Sequence, residues 1–141
     1  MSVDFDKLKA QISVEEGRKG KVYPDPRGVP TIGIGRNLRD VGLSDDEIDY
    51  LFKNDILRVT NDIAKNIPWV FGLDDVRQRV FFDLVFNMGI TKLLTFQHTL
   101  ALAKAGDFAG AADELHHSLW DSQVGNRAPK LEAMLKTGVD Q

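Results

Sequence analysis

The sequence predicts an α+β protein, predominantly helical: a small N-terminal lobe with a β-hairpin, a long connecting helix and a helical C-terminal lobe. Three observations carry this. Residues 21–35 have strand-like spacing broken by turn chemistry, while apolar residues three and four apart govern nearly everything else. Ser44-Asp45-Asp46-Glu47 is a capping box, and it opens a long amphipathic run that stops before Pro68. Residues 76–88 are apolar almost all round, as in a helix buried at the centre of a lobe.

Taken in order, Phe5, Leu8 and Ile12 form one face of a first short helix, and Gly17 and Gly20 loosen the chain after it. Lys21-Val22-Tyr23 reads as a strand. Asp25-Pro26-Arg27-Gly28 is a turn, with Pro presetting φ and Gly free to take a positive one. Val29 to Ile34 completes the hairpin, and Gly33 and Gly35 signal a bend or a close backbone approach. The long helix carries Ile48, Leu51, Phe52, Ile56, Val59 and Ile63 on one face and runs to about Asn66. The next helix has the stripe Val76, Val80, Phe81, Leu84, Val85 and Met88, widened by Phe82 and Phe86, and Gly89 ends it. Phe96 to Ala105 is a helix with Gly106 just past its end. Asp107 caps another that runs to about Leu119. Trp120 to Asn126 reads as loop, and Pro129 suits the first turn of a final helix. One domain is expected over 1–141, with a β-containing lobe at about 13–44, a connecting helix at 45–66, and a helical lobe built from 1–12 and 67–141.

Composition narrows the function classes. A hydrophobic content of 43% and a charged content of 28% suit a folded domain, and 141 residues are enough for one core. No stretch approaches the roughly 20 apolar residues that span a bilayer, so stable membrane insertion is not expected. The start, Met1-Ser2-Val3-Asp4-Phe5-Asp6, is acidic where a signal peptide is basic and then apolar, so no signal peptide is expected. The chain has no cysteine, which excludes disulfides, thiolate metal sites and cysteine nucleophiles. A net charge of −3 gives no basic footprint for nucleic acid. His116-His117 lacks a third ligand at metal spacing, and no metal or other cofactor is expected.

Chemistry concentrates between residues 15 and 35. Glycoside hydrolysis needs a carboxylic acid near the leaving oxygen and a second group to position or activate the nucleophile. Glu16 stands at the end of an amphipathic helix, where partial burial suits the acid. Asp25 stands in an exposed turn, where a carboxylate stays ionised, and Thr31 can hold a water. Spacing alone leaves this suggestive, because acidic pairs and Asp-Pro turns are common.

The segment Glu15-Glu16-Gly17, Tyr23-Pro24-Asp25 and Gly28-Val29-Pro30-Thr31-Ile32-Gly33-Ile34-Gly35 resembles the active-site segment of the phage-type (T4-like) lysozymes. That family's pattern is Glu, eight residues, Asp, five residues, Thr, and Glu16, Asp25 and Thr31 meet it. Three more motifs follow in the family's order. Leu51-Phe52-Lys53-Asn54-Asp55 resembles the start of its inter-lobe helix, and Val85-Phe86-Asn87-Met88-Gly89 its buried-helix signature. Trp120-Asp121-Ser122-Gln123 with Asn126-Arg127-Ala128 resembles its C-terminal signature.

The resemblance implies a lysozyme-like fold and cleavage of the β-1,4 bond between N-acetylmuramic acid and N-acetylglucosamine in bacterial peptidoglycan. Glu16 would be the general acid, with Asp25 and Thr31 activating water on the opposite sugar face, which implies inversion. Arg127 matches the arginine that pairs with the catalytic Glu. Asn87, Phe86 and Gln123 join it as substrate-binding or orienting residues, although helical spacing alone reads Phe86 and Met88 as core. Arg36 stands where the family's best-known member has His, and Asp55 matches that histidine's partner, so an Arg36–Asp55 ion pair is expected. The segment from Arg36 to Ser44 is shorter than in larger members, which bears on the size of the sheet. The implied role is a monomeric phage endolysin. It would be made in the host cytoplasm and act on the periplasmic wall after a holin opens the membrane. The alternative is a non-catalytic peptidoglycan-binding or protein-interaction module on the same scaffold.

Overall fold

The computed structural model describes residues 2–118, 125 and 127–141. The chain divides into two compact units, Met1–Leu51 and Phe52–Gln141.

The first unit opens with helix α1, Phe5–Glu16. Asp4 caps it by accepting the Lys7 N–H at 3.1 Å, and the Gly17 N–H closes it on the Ser13 carbonyl. None of its residues is buried, and Phe5, read from spacing as part of the apolar face, is 75% exposed. A three-stranded antiparallel sheet follows: β1 Lys19–Pro24, β2 Pro30–Gly33 and β3 Arg36–Asn37, with β2 in the middle. Tyr23 pairs with Thr31, and Thr31 in turn with Asn37. The expected hairpin is present, but its second strand stops at Gly33, one residue early, and the turn at Ile34-Gly35 leads into the unanticipated β3. A two-residue strand is too short to show a period in sequence.

Helix α2, Asp45–Asn66, begins in the first unit and ends in the second. Its capping box forms as the sequence indicates. The Glu47 N–H donates to Ser44 Oγ at 3.2 Å, and the Ser44 N–H donates to Glu47 Oε1 at 2.9 Å.

The second unit is helical. Pro68 ends α2 and starts a 3-10 turn, Pro68–Gly72. Helix α3 spans Asp75–Met88, short α4 Ile90–Leu93, α5 Gln97–Lys104, α6 Phe108–His116 and α7 Arg127–Thr137. The 3-10 turn and α4 were not legible, because neither is long enough to repeat an apolar spacing. The loop expected at Trp120 to Asn126 lies, apart from Gly125, outside the described residues.

The core belongs to this second unit. Val59 and Ile63 of α2 join Val80, Phe81, Leu84 and Val85 of α3, Ala111 and Leu115 of α6, and Leu131 and Leu135 of α7. Phe81, Leu84, Leu115 and Leu135 are fully buried. Each such side chain contributes roughly 1.5–3 kcal/mol of transfer free energy. Arg77 of α3 adds a polar tie to α7. Its Nε donates to the Leu135 carbonyl at 2.7 Å and its Nη2 to the Lys136 carbonyl at 2.9 Å, while the guanidinium stacks over Phe108 at 3.8 Å. The α+β, mostly helical architecture predicted from sequence is the one observed.

Candidate active site

Asp25 is held by the turn it forms. Its Oδ1 accepts the Arg27 N–H at 2.8 Å and the Val29 N–H at 2.9 Å. Its own N–H donates to the Val29 carbonyl, and the Gly28 N–H donates to the Asp25 carbonyl. The Val29 N–H, above all, keeps the carboxyl below its ordinary value of 3.8. The Arg27 N–H and the Arg27 and Arg39 guanidinium groups add to this, against an upward push from burial. Asp25 is therefore ionised. Its second oxygen, Oδ2, lies 3.9 Å from the Arg27 guanidinium.

Thr31 sits at the middle of β2 and is only 4% exposed. Its hydroxyl donates to the Val29 carbonyl at 2.9 Å. That uses its one hydrogen and leaves the oxygen's lone pairs as acceptors. Val29 is thus bonded to both side chains, through its N–H to Asp25 and through its carbonyl to Thr31. The structure brings these two predicted residues together on the backbone of one residue, Val29.

Glu16 is the last residue of α1, and its carboxyl lies against the turn between β2 and β3. A Cβ placed on Gly35 would sit 3.1 Å from Glu16 Cδ and 3.1 Å from Oε2. The expected partial burial of Glu16 is not seen, because α1 buries none of its residues and the glutamate is exposed. Within its own unit the carboxylate takes no hydrogen bond among the described residues.

Arg36 takes a different partner from the expected Asp55. Its Nη1 donates to Glu47 Oε1 at 2.8 Å and to the Gly42 carbonyl at 3.0 Å, and its Nη2 lies 2.8 Å from Glu47 Oε2. Asp55 instead holds Arg58, three residues on along the same helix, at 2.6 Å. The physical reason is preorganisation. Glu47 is already fixed by the capping box and presents both oxygens to the planar guanidinium fork. The guanidinium, then the Ser44 N–H, push the Glu47 carboxyl down to about 2. The sequence signal for Glu47 was the capping box, which carries no information about Arg36.

In the second unit, Phe86 and Arg127 come to one depression of about 680 Å³, which Phe52, Phe82, Asp83 and Lys130 also line. Phe86, core by its spacing, is 44% exposed and meets Phe52 edge to face at 5.7 Å. Arg127 Nε lies 3.5 Å from Asp83 Oδ1, a neighbour that sequence reasoning did not single out. Asn87 is exposed near the end of α3, and Gln123 falls outside the described residues.

The first unit thus offers a glutamate at a helix end beside a small sheet, with an aspartate and a threonine tied together within that sheet, the kinds of group that glycoside hydrolysis needs. The family model described as phage lysozyme matches residues 13–135, and the chain belongs to that family, whose activity is of the muramidase type. Among curated relatives, a probable T4-type lysozyme 1 of Dictyostelium discoideum is 28% identical over 93% of this chain and 94% of its own length. A second such protein from the same organism is 26% identical over the same shares. The pre-baseplate central spike protein Gp5 of Enterobacteria phage T4 is 28% identical over 88% of this chain and 26% of its own length.

Proposed function

We propose that the chain hydrolyses the β-1,4 bond between N-acetylmuramic acid and N-acetylglucosamine in bacterial peptidoglycan, with inversion at the muramic-acid C1. Glu16 gives its proton to the glycosidic oxygen as the bond to C1 breaks. A water held by Asp25 and Thr31 attacks C1 from the other face and passes a proton to Asp25. Release of that proton and reprotonation of Glu16 complete the turnover. The observation that carries the reading is the Val29 backbone, whose N–H holds an ionised Asp25 and whose carbonyl holds the Thr31 hydroxyl. The pair offers two acceptors for one water, which leaves the water's oxygen lone pair for C1. In this reading Arg127 orients Glu16, and Asn87, Phe86 and Gln123 contact sugar. The Arg36–Asp55 pair has no place in it, since each side chain holds another partner.

The proposed setting is a monomeric phage endolysin, made in the host cytoplasm and admitted to the wall by a holin. The family match supports it.

The test uses purified peptidoglycan with wild type, Glu16→Gln and Asp25→Asn, followed by identification of the ends formed. Wild type is expected to release reducing muramic-acid ends. Each variant is expected to be slower by about 10²-fold or more, the typical worth of a positioned acid or base. Anhydro-muramic ends, or full activity in Glu16→Gln, would overturn the reading.

A further inference from the structure

We propose that Gly35 is a positioning residue for Glu16: its missing side chain is the space in which the catalytic carboxyl rests. The inference rests on the general-acid reading of Glu16 and deepens it. Three nearest neighbours of a Cβ built on Gly35 all belong to Glu16: Cδ and Oε2 at 3.1 Å and Cγ at 3.2 Å. Those separations are tighter than ordinary van der Waals contact, so one partner has to give by a few tenths of an ångström.

The turn is the stiffer partner. The residue after Gly35 is Arg36, which is fastened to Glu47 through both Nη atoms and to the Gly42 carbonyl. Ile32 and Arg36 pair across the turn. Glu47 is itself fixed by Ser44 at the start of α2. Glu16 is exposed at a helix end, with rotatable bonds and no hydrogen bond within its unit among the described residues. A side chain at position 35 therefore displaces the carboxyl, not the turn. The Arg36–Glu47 fork acts as the rear anchor of that rest.

Gly33 supplies an internal control. It ends β2, two residues before Gly35, with φ +71° against +73° for Gly35, and a Cβ built there meets nothing within 4 Å. Gly33→Ala and Gly35→Ala impose the same left-handed strain on a side chain, but only the second touches Glu16.

The experiment measures kcat, KM and thermal midpoint of wild type, Gly33→Ala, Gly35→Ala and Glu16→Gln on soluble peptidoglycan fragments. The two alanine variants are expected to lose similar stability. Gly35→Ala alone is expected to lose kcat, on the order of tenfold for a displacement of a few tenths of an ångström, with KM unchanged. Equal kcat in the two alanine variants overturns the positioning role while an inactive Glu16→Gln leaves the acid role standing. An active Glu16→Gln overturns both. A second measurement needs neither alanine variant to fold. In wild type, the Gly35 Hα resonances should follow the titration of the Glu16 carboxyl with a shared midpoint, and the response should vanish in Glu16→Gln. Gly35 resonances indifferent to Glu16 overturn the contact itself.

Discussion

Glu47 shows how much one side chain can hold. One oxygen closes the capping box and also receives Arg36, and the other completes the fork. Its carboxyl, held at about 2 against an ordinary 4.5, makes a pH-dependent contribution to stability. The depressed folded value means the contribution is fully present above pH 4.5 and is lost as pH falls through about 2. Glu47→Gln is therefore expected to flatten the stability curve between those two values and to lower the thermal midpoint at neutral pH. Urea titrations at a series of acidic pH values check this, and superimposable curves for the two proteins would refute it. The capping box was legible because a serine and a glutamate three residues apart encode a local hydrogen-bond pattern. The Arg36 partner was not, because it depends on β3 meeting the start of α2 across the turn of residues 38–44. Asp25 and Thr31 were legible as a pair of residue types. Their common bond to Val29 was not, since spacing says nothing of which peptide lies between two side chains.

Among the elements, the long helices declared themselves through apolar spacing and caps: Asp107 and the Ser44 box stand where α6 and α2 begin. The elements that escaped are the ones of two to five residues, β3, α4 and the 3-10 turn, which have no room for a period. The packing of α3 on α7 escaped as well, because Arg77 reads in sequence as one more surface charge. In the fold its side chain is only 17% exposed and donates to two carbonyls at the end of α7. Arg77→Ala removes both of these bonds and a third, more exposed one to Asp74 Oδ1 at 3.1 Å, and is expected to cost about 2–3 kcal/mol. Arg77→Lys, which cannot present the planar fork, is expected to recover less than half of that. Chemical denaturation of the three proteins gives both figures, and a loss below about 0.5 kcal/mol in Arg77→Ala, the usual scale of a surface substitution, would show the tie to be idle.

At the scale of the whole molecule, no helix among the described residues is long and apolar enough to cross a membrane, and the net charge is −3. Under the proposed endolysin role, the chain expressed alone in a bacterium leaves the culture intact, and co-expression of a membrane-permeabilising protein brings rapid lysis. Turbidity traces of the two cultures check this, and lysis by the chain alone would refute the need for a partner. The distribution of burial has a further consequence. The apolar core lies at and beyond Val59, while Glu16, Asp25, Thr31 and Gly35 all precede it in the chain. Selection can therefore act on the two properties through different stretches of the gene. Changes at the core positions from Val59 onward chiefly alter how much folded protein a cell accumulates, whereas changes at Glu16, Asp25, Thr31 and Gly35 leave that core cluster untouched.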